Sequence, residues 1–224
     1  MRATNGRADI LRAARNTFAR KGYDGASIRD IAQEAGLSLS ALYYYFPSKQ
    51  DALYELITKA FEWYIEHANG VIEDAGDSEV DRVASLIRFV VRYRAQNGLI
   101  SRVTLRDTER LDPEKYEKIR ELQRVSRAIL TDVLAKGMET GVFRIENPDL
   151  AGRAILSILN SIPLWYREGG PLDIPALERS YTAYCLRLLG YQELAGEFDR
   201  LLNLPLNEDG TATFIESETA AVNG

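Results

Sequence analysis

The sequence predicts an all-α fold, and three observations support this prediction. Apolar residues recur at helical spacing along much of the chain of 224 residues, and no regular β alternation is visible. Capping residues precede several of the apolar periods, among them Ser27, Ser48 and Ser78. A proline directly follows Asp112 and Asn147, which is the arrangement that favours the first turn of a helix.

The N-terminal quarter of the chain predicts three short helices. The first is expected over 7–21, and Ser27 with Asp30 then forms a capping box at the start of the second. Gly36 occupies the left-handed position where the second helix should end, and Ser38 caps a third helix, which Pro47 stops. A helix, a turn containing glycine and a second helix are the parts of a helix-turn-helix, the motif that reads DNA in the major groove.

The outward residues of the third helix suit DNA contact. Successive helical positions turn by roughly 100°, so Tyr43, Tyr44 and Tyr45 cannot all face the core. Hydroxyl groups of tyrosine and serine bind phosphates, and serine also reaches base edges. Lys49 lies in the first turn of the next helix, where a phosphate would also meet free backbone N–H groups. Lys49→Ala should therefore weaken binding to every DNA sequence and flatten the salt dependence of binding. The predicted DNA-binding residues are Ser27, Arg29, Ser38, Ser40, Ala41, Tyr43, Tyr44, Tyr45 and Lys49.

The first fifty residues resemble the DNA-binding domain of the TetR family of one-component transcriptional regulators. The resemblance implies an all-helical homodimer whose subunits each carry an N-terminal three-helix DNA-binding domain and a larger C-terminal domain for ligand binding and dimerisation. The family often has His where this chain has Tyr45. The matching residues are Ile10, Ala13, Ala14, Phe18, Gly22, Tyr23, Ser27, Ile31, Ala32, Ala35, Gly36, Leu42, Tyr43, Tyr45, Phe46, Lys49, Leu53 and Leu56.

Charge is divided unevenly along the chain, and it supports the expected domain organisation. Residues 1–50 carry eight basic and four acidic side chains, whereas the chain from residue 192 onward carries one basic and seven acidic side chains. DNA responds to the local field, because the Debye length is only about 8–10 Å in physiological salt. We expect a DNA-binding domain over 1–50, a ligand-binding and dimerisation domain over 51–191, and an acidic, flexible tail over 192–224.

Several classes of function are disfavoured by the composition. No stretch of eighteen apolar residues and no apolar signal region are present, and Cys185 is the single cysteine, so a cytoplasmic protein is expected. Cys185 and the single histidine, His67, cannot assemble a zinc cluster. No nucleophile–base pair is visible, so we expect neither an enzyme nor a bound metal or cofactor.

The remainder of the chain predicts further helices with identifiable ends. A fourth helix is expected from residue 48 to about 67, with a break over 69–77, and others over 78–97, about 98–110, 113–139, 148–167 and 175–189. The 148–167 segment is apolar on nearly every side, so burial on all sides is expected, with a kink at Pro163. The last two helices are expected to form the dimer interface as a four-helix bundle; the alternative is that they close the subunit's own core.

One segment of the C-terminal half suggests a class of ligand. Residues 162–172 resemble the corresponding stretch of a TetR subgroup that responds to acyl coenzyme A thioesters. An acyl chain needs apolar walls, and its nucleotide end needs cations such as arginine. The alternatives are that the arginines form a solvated face and that the aromatic residues belong to the core. The predicted ligand-binding residues are Phe61, Tyr64, Phe89, Arg92, Tyr93, Arg102, Arg106, Leu159, Trp165, Tyr166 and Arg167.

Together these patterns predict a DNA-binding transcriptional regulator. We expect a repressor that binds a pseudo-palindromic double-stranded operator and is released by a small hydrophobic effector, with an acyl coenzyme A thioester as the specific hypothesis. One alternative is a repressor that responds to drugs or other aromatic ligands. The other is a helical protein-interaction module, in which the outward tyrosines contact a protein.

Overall fold

The structure, a computed structural model, describes residues 6–192, 196–204 and 206. All regular structure within those ranges is helical, which confirms the predicted all-α fold. The helices are α1 (Arg7–Gly25), α2 (Ile28–Glu34), α3 (Leu39–Tyr45), α4 (Lys49–Asp74), α5 (Glu79–Gln96), α6 (Gly98–Asp107) with a 3₁₀ turn (Thr108–Arg110), α7 (Pro113–Glu139), α8 (Pro148–Asn160), α9 (Ile162–Trp165), α10 (Ile174–Leu188) and α11 (Glu197–Leu202).

The described chain divides into two compact units. The first contains residues 6–63 together with 99–123, and the second contains 64–98, 124–192 and the described residues beyond 195. The first unit therefore holds α1–α3, most of α6 and the first turns of both α4 and α7. The domain limits expected at residues 50 and 191 stay a prediction.

The core of the first unit follows from the apolar periods of its helices. Ile10 and Phe18 of α1, Leu42 of α3 and Phe46 are fully buried, as their spacing predicts. The α1 helix bends at Gly22, which has a φ of 73°, a conformation that glycine adopts at little cost. This bend directs the chain into the turn that precedes α2.

Helix α4 is longer than predicted. The expected break at residues 69–70 is wrong, because α4 continues through Gly70 to Asp74 and the chain turns at Gly76 instead. Ala68 and Val71 are buried, so packing of this last turn outweighs the helix penalty of about 1 kcal/mol that a single glycine imposes.

Helix α5 is the central element of the second unit. It contacts α8, α9, α10 and α11, and its apolar residues, including Val83, Ile87 and Val91, are buried. Ser78 caps its start through a hydrogen bond of 3.4 Å that the backbone N–H of Asp81 donates. The cap and the buried stripe together explain why the helix forms where it was predicted.

The apolar segment over 148–167 is not buried on all sides, so that part of the prediction is wrong for the single chain. It forms α8 and the short α9, which are separated at Ser161 close to the expected kink at Pro163. Leu150 and Leu164 are 61% and 64% exposed. The segment therefore presents an apolar face outward as well as a buried one.

The segment predicted as a tail contains an ordered element. Helix α11 packs on α5 and α10, its Leu201 is fully buried, and Arg200 donates two hydrogen bonds of 2.7 and 2.6 Å to Asp81. The rest of the predicted acidic tail, beyond residue 206, lies outside the described residues.

Candidate nucleic-acid interface and effector-binding region

The entry to α2 is fixed by the predicted capping box. The Asp30 backbone N–H donates to Ser27 Oγ at 3.1 Å, and the Ser27 backbone N–H donates to Asp30 Oδ2 at 2.9 Å. The hydrogen bond from Lys21 and those from Ser27 lower the pKa of Asp30 to about 2, so the box stays ionised at neutral pH. Arg29, on the first turn of α2, is exposed.

The turn between α2 and α3 has the geometry expected of a helix-turn-helix. Gly36 has a φ of 67°, and the backbone N–H of Leu37 donates to the carbonyl of Ala32 at 2.9 Å, which closes the C-terminus of α2. Ser38 then accepts a hydrogen bond of 3.2 Å from the backbone N–H of Ala41 and caps α3.

The outer face of α3 carries hydroxyl groups. Tyr44 is 85% exposed and Tyr43 is 46% exposed. Ser38 and Ser40 are also exposed, and their hydroxyl oxygens lie 3.1 Å apart. Ala41 is half-buried. The structure therefore leaves Ser38, Ser40, Tyr43 and Tyr44 exposed at α3.

Tyr45 stands at the C-terminal edge of that surface. Its ring meets the Tyr44 ring edge to face, with centroids 5.3 Å apart, and its carbonyl accepts a hydrogen bond of 3.3 Å from Arg7. A side chain at Gly6 would begin 3.0 Å from the Tyr45 hydroxyl. The start of α1 therefore lies against Tyr45.

The ammonium group of Lys49 has a structural role that sequence reasoning missed. It donates hydrogen bonds of 2.9 and 3.0 Å to the carbonyls of Tyr23 and Ala26, and it lies 4.1 Å from the centroid of the Tyr23 ring. Lys49 thus ties the start of α4 to the C-terminus of α1, where a cation also opposes the negative end of the helix. The phosphate contact predicted for Lys49 stays a prediction.

Three of the aromatic residues predicted to line a ligand pocket form one cluster in the second unit. Tyr64, Phe89 and Tyr93 are buried, with ring centroids 5.5 to 6.2 Å apart. Burial raises the pKa of Tyr64 to about 12, so the phenol is neutral at any physiological pH. Leu159 of α8, in the same unit, is 1% exposed.

Arg92, which was predicted to bind a phosphate-bearing ligand, and the neighbouring Arg88 are engaged in other contacts. Arg92 donates a hydrogen bond of 2.7 Å to Glu178, and Arg88 pairs with the same carboxylate at 3.4 Å. Arg88 also donates to the carbonyls of Leu201 and Leu204 at 3.3 and 2.8 Å, and burial lowers its pKa from the ordinary value. Glu178 lies 86 residues from Arg92 in sequence, so local sequence patterns could not predict this ion pair.

Arg106 was predicted to bind ligand but contacts the first unit's own helix α1. Its guanidinium donates a hydrogen bond of 2.6 Å to the Phe18 carbonyl and two bonds of 2.9 and 2.8 Å to Asp107. Phe61 and Arg102 also belong to this first unit and are half-buried.

The end of α9 brings the remaining predicted ligand residues together at the surface of the second unit. Trp165 is 42% exposed, its ring meets Tyr166 edge to face at 6.3 Å, and Arg167 is exposed. Of the predicted ligand residues, Tyr64, Phe89, Arg92, Tyr93, Leu159 and this surface group belong to the second unit, and Phe61, Arg102 and Arg106 belong to the first.

The fold and the surface of α3 define a helix-turn-helix DNA-binding protein, and comparisons with known proteins identify its family. The family model of the TetR DNA-binding region (bacterial regulatory proteins, tetR family) matches residues 10–56, and that of the tetracyclin repressor-like C-terminal domain matches 76–189. The chain belongs to the TetR family of bacterial transcriptional regulators.

Several relatives agree over most of their length. The transcriptional repressor KstR2 of Mycobacterium tuberculosis is 29% identical over 184 residues, covering 80% of this chain and 90% of KstR2. Its solved structure has a TM-score of 0.73 at 27% identity and covers 86% of this chain and 98% of that one. The regulator PfmR of Thermus thermophilus is 32% identical, with a TM-score of 0.72 and coverage of 83% and 99%. A fatty acid metabolism regulator protein of Bacillus subtilis is 25% identical over 174 residues, covering 76% of this chain and 89% of the regulator.

The described residues contain neither a candidate membrane span nor a candidate metal site. None of the helices within them is long and apolar enough to cross a bilayer. Nor do those residues bring three or more His, Cys, Asp or Glu side chains together in a group able to hold a metal ion.

Proposed function

We propose that this TetR-family regulator is a repressor that binds its operator through α3 and the start of α2. The observation that carries the proposal is the exposed surface of Ser38, Ser40, Tyr43 and Tyr44 on a helix whose opposite face is buried. Hydroxyl donors on such a face reach phosphates and base edges. Footprinting on the DNA upstream of its own gene tests this, and a chain that protects no DNA sequence would contradict it.

Tyr44→Ala should weaken operator binding without loss of stability. The ring is 85% exposed, so its removal costs almost no packing, whereas a lost phosphate contact of about 1 kcal/mol lowers affinity about fivefold. Gel-shift titration and thermal unfolding measure the two quantities. Tyr44→Phe is the matched control for the ring: if it binds like the unsubstituted protein while Tyr44→Ala does not, the hydroxyl group is not the contact.

We further propose that the protein acts as a homodimer. The outward faces of α8, α9 and α10 carry large apolar side chains, among them Leu150, Leu164, Trp165, Tyr184 and Leu188. Four helices from two subunits could bury these side chains in one bundle, and two copies of α3 would then match a pseudo-palindromic operator.

Tyr184→Ser tests the proposed interface. The side chain is 59% exposed in the single chain, so the substitution should leave the subunit folded. It should raise the dimer dissociation constant about tenfold or more through lost apolar burial. Sedimentation equilibrium measures this, and Tyr43→Ser, on the DNA-binding face, is the control. Equal dimer stability in both variants would place the interface elsewhere.

The effector is proposed to be a small hydrophobic molecule, with an acyl coenzyme A thioester as the first candidate. The buried Tyr64–Phe89–Tyr93 cluster supports an apolar site, and a relative is named as a regulator of fatty acid metabolism. Ligand that binds better to the DNA-free form lowers operator occupancy, and operator must weaken ligand binding by the same factor.

A thermal-shift panel separates the effector classes. Octanoyl and palmitoyl coenzyme A should raise the melting temperature, and the same thioesters should release operator. Coenzyme A alone and the free acids are the controls. Stabilisation by planar aromatic drugs but by no thioester would favour the drug-responsive alternative instead.

A further inference from the structure

The DNA-binding unit includes a segment outside the region that the family's DNA-binding model matches. That match covers residues 10–56, and residues 99–123 fall within the match to the C-terminal domain. In the structure, however, residues 99–123 cluster with α1–α3 in the first compact unit. The contacts that attach this segment show what it does for the helix-turn-helix.

Arg106 supports α1 at the point where its regular geometry ends. The Phe18 carbonyl lies one turn before Gly22, which has a φ of 73° and is not helical. Arg106 Nη2 donates to that carbonyl at 2.6 Å. The guanidinium therefore supplies a hydrogen bond at the bend that leads into α2.

Asp107 holds the next residue of the same bend. Its Oδ1 accepts a hydrogen bond of 3.3 Å from the Tyr23 backbone N–H, and its two oxygens accept from Arg106. The carboxylate is 3% exposed, so its charge depends on these donors in place of water. Arg106 and Asp107 thus form a paired support for residues 18–23.

The same segment also holds the start of α4. The Gln50 amide donates to the Arg110 carbonyl at 2.7 Å and accepts from the Asp112 backbone N–H at 3.2 Å. Lys115 donates to Asp51 at 2.7 Å. Helices α2 and α3 lie in the chain between these two attachment points, at residues 18–23 and 50–51. A segment that fixes both flanks restrains the helix-turn-helix between them.

We propose that Arg106 and Asp107 are positioning residues for operator binding: they set the orientation of the α1–α2 bend, and hence of Ser27 and α3, without contacting DNA. The inference rests on the proposed function, since it requires that α3 binds an operator. It assigns part of the DNA-binding affinity to a segment that the family model places in the C-terminal domain.

The test uses the full chain and the operator fragment that the unsubstituted protein protects in footprinting. Arg106→Ala should weaken binding about tenfold, because a charge-assisted hydrogen bond is lost and Asp107 is left with one donor fewer. The slope of log affinity against log salt should not change, since no phosphate contact is removed. Hydrogen exchange of the backbone amides over 19–26 should become faster. Arg106→Lys should recover part of the affinity, because an ammonium group can also donate to the Phe18 carbonyl.

Arg120→Ala is the matched control. Arg120 lies in the same segment, carries the same charge and donates to Glu117 on its own helix, so its loss should leave operator affinity and exchange over 19–26 unchanged. Asp107→Asn is a second variant that keeps an oxygen acceptor for Tyr23 but weakens the pair with Arg106. It should bind with intermediate affinity even if Arg106→Ala does not fold.

Three results would overturn the inference. Operator binding by Arg106→Ala and Asp107→Asn that matches the unsubstituted protein would show that the pair positions nothing. A salt slope smaller by about one in Arg106→Ala would make Arg106 a phosphate contact. An equal loss of operator affinity in Arg120→Ala would show that the effect comes from removing a positive charge and not from the position of Arg106. If the unsubstituted protein itself protects no DNA, the proposed function fails, and this separates the two failures.

Discussion

Lys49→Met is expected to lower the free energy of unfolding by about 2 kcal/mol and operator affinity by about thirtyfold. The ammonium group bonds the carbonyls of Tyr23 and Ala26 and lies against the Tyr23 ring. Methionine fills nearly the same volume but leaves both carbonyls without that donor. The loss should therefore appear in denaturant unfolding as well as in DNA titration.

The comparison with Lys118→Met separates a structural role from simple loss of charge. Lys118 lies in the first unit, is exposed, and donates to Glu114 one turn away on its own helix, so its replacement should change stability far less than Lys49→Met does. Operator affinity measured over a series of salt concentrations decides the role of Lys49. Unchanged stability with a salt slope smaller by about one would instead support the phosphate contact predicted from sequence.

Gly137→Ala is expected to destabilise the second unit by about 2 kcal/mol, although alanine is the better helix former. A Cβ atom at this position of α7 would lie 2.1 Å from Phe143 Cδ2 and 2.3 Å from Cε2. The ring cannot move aside easily, because it is 2% exposed and the Phe143 N–H donates to the Gly137 carbonyl at 2.9 Å. Overpacking of this size exceeds the gain in helix propensity.

Gly70→Ala provides the opposite expectation at a comparable helical position. A Cβ atom at Gly70 in α4 would meet nothing within 4 Å, so the substitution should stabilise the protein by about 1 kcal/mol. Thermal and denaturant unfolding of both variants measure the difference. If both substitutions stabilise the protein, the Phe143 ring can move to make room for the added methyl group without loss of stability.

The local features of the DNA-binding unit could be predicted from sequence because they obey local rules. The capping box of Ser27 and Asp30 and the left-handed turn at Gly36 depend on residues within a few positions of one another. The extension of α4 beyond residue 69 could not be predicted in the same way, since burial of Val71 decides it.

The candidate sites were predicted less completely, because their chemistry depends on partners far away in sequence. An arginine pattern predicts that Arg92 and Arg106 bind ligand, but it does not reveal their acceptors, which include Glu178 and the Phe18 carbonyl, 86 and 88 residues away. The hydrogen bonds of Lys49 were missed for the same reason, since the carbonyls of Tyr23 and Ala26 lie 26 and 23 residues away. The outward tyrosines were correctly placed because helical periodicity alone determines exposure.

The contact between Arg88 and α11 has a consequence for where this protein can be shortened. The match to the C-terminal family model ends at residue 189, which suggests a natural place to cut the chain. A chain cut there would lose the Leu201 and Leu204 carbonyls, and a guanidinium that is 7% exposed would lose two acceptors in an interior setting. A shortened chain for expression or fusion should therefore end beyond residue 204, because Arg88 needs the carbonyls of Leu201 and Leu204 as acceptors.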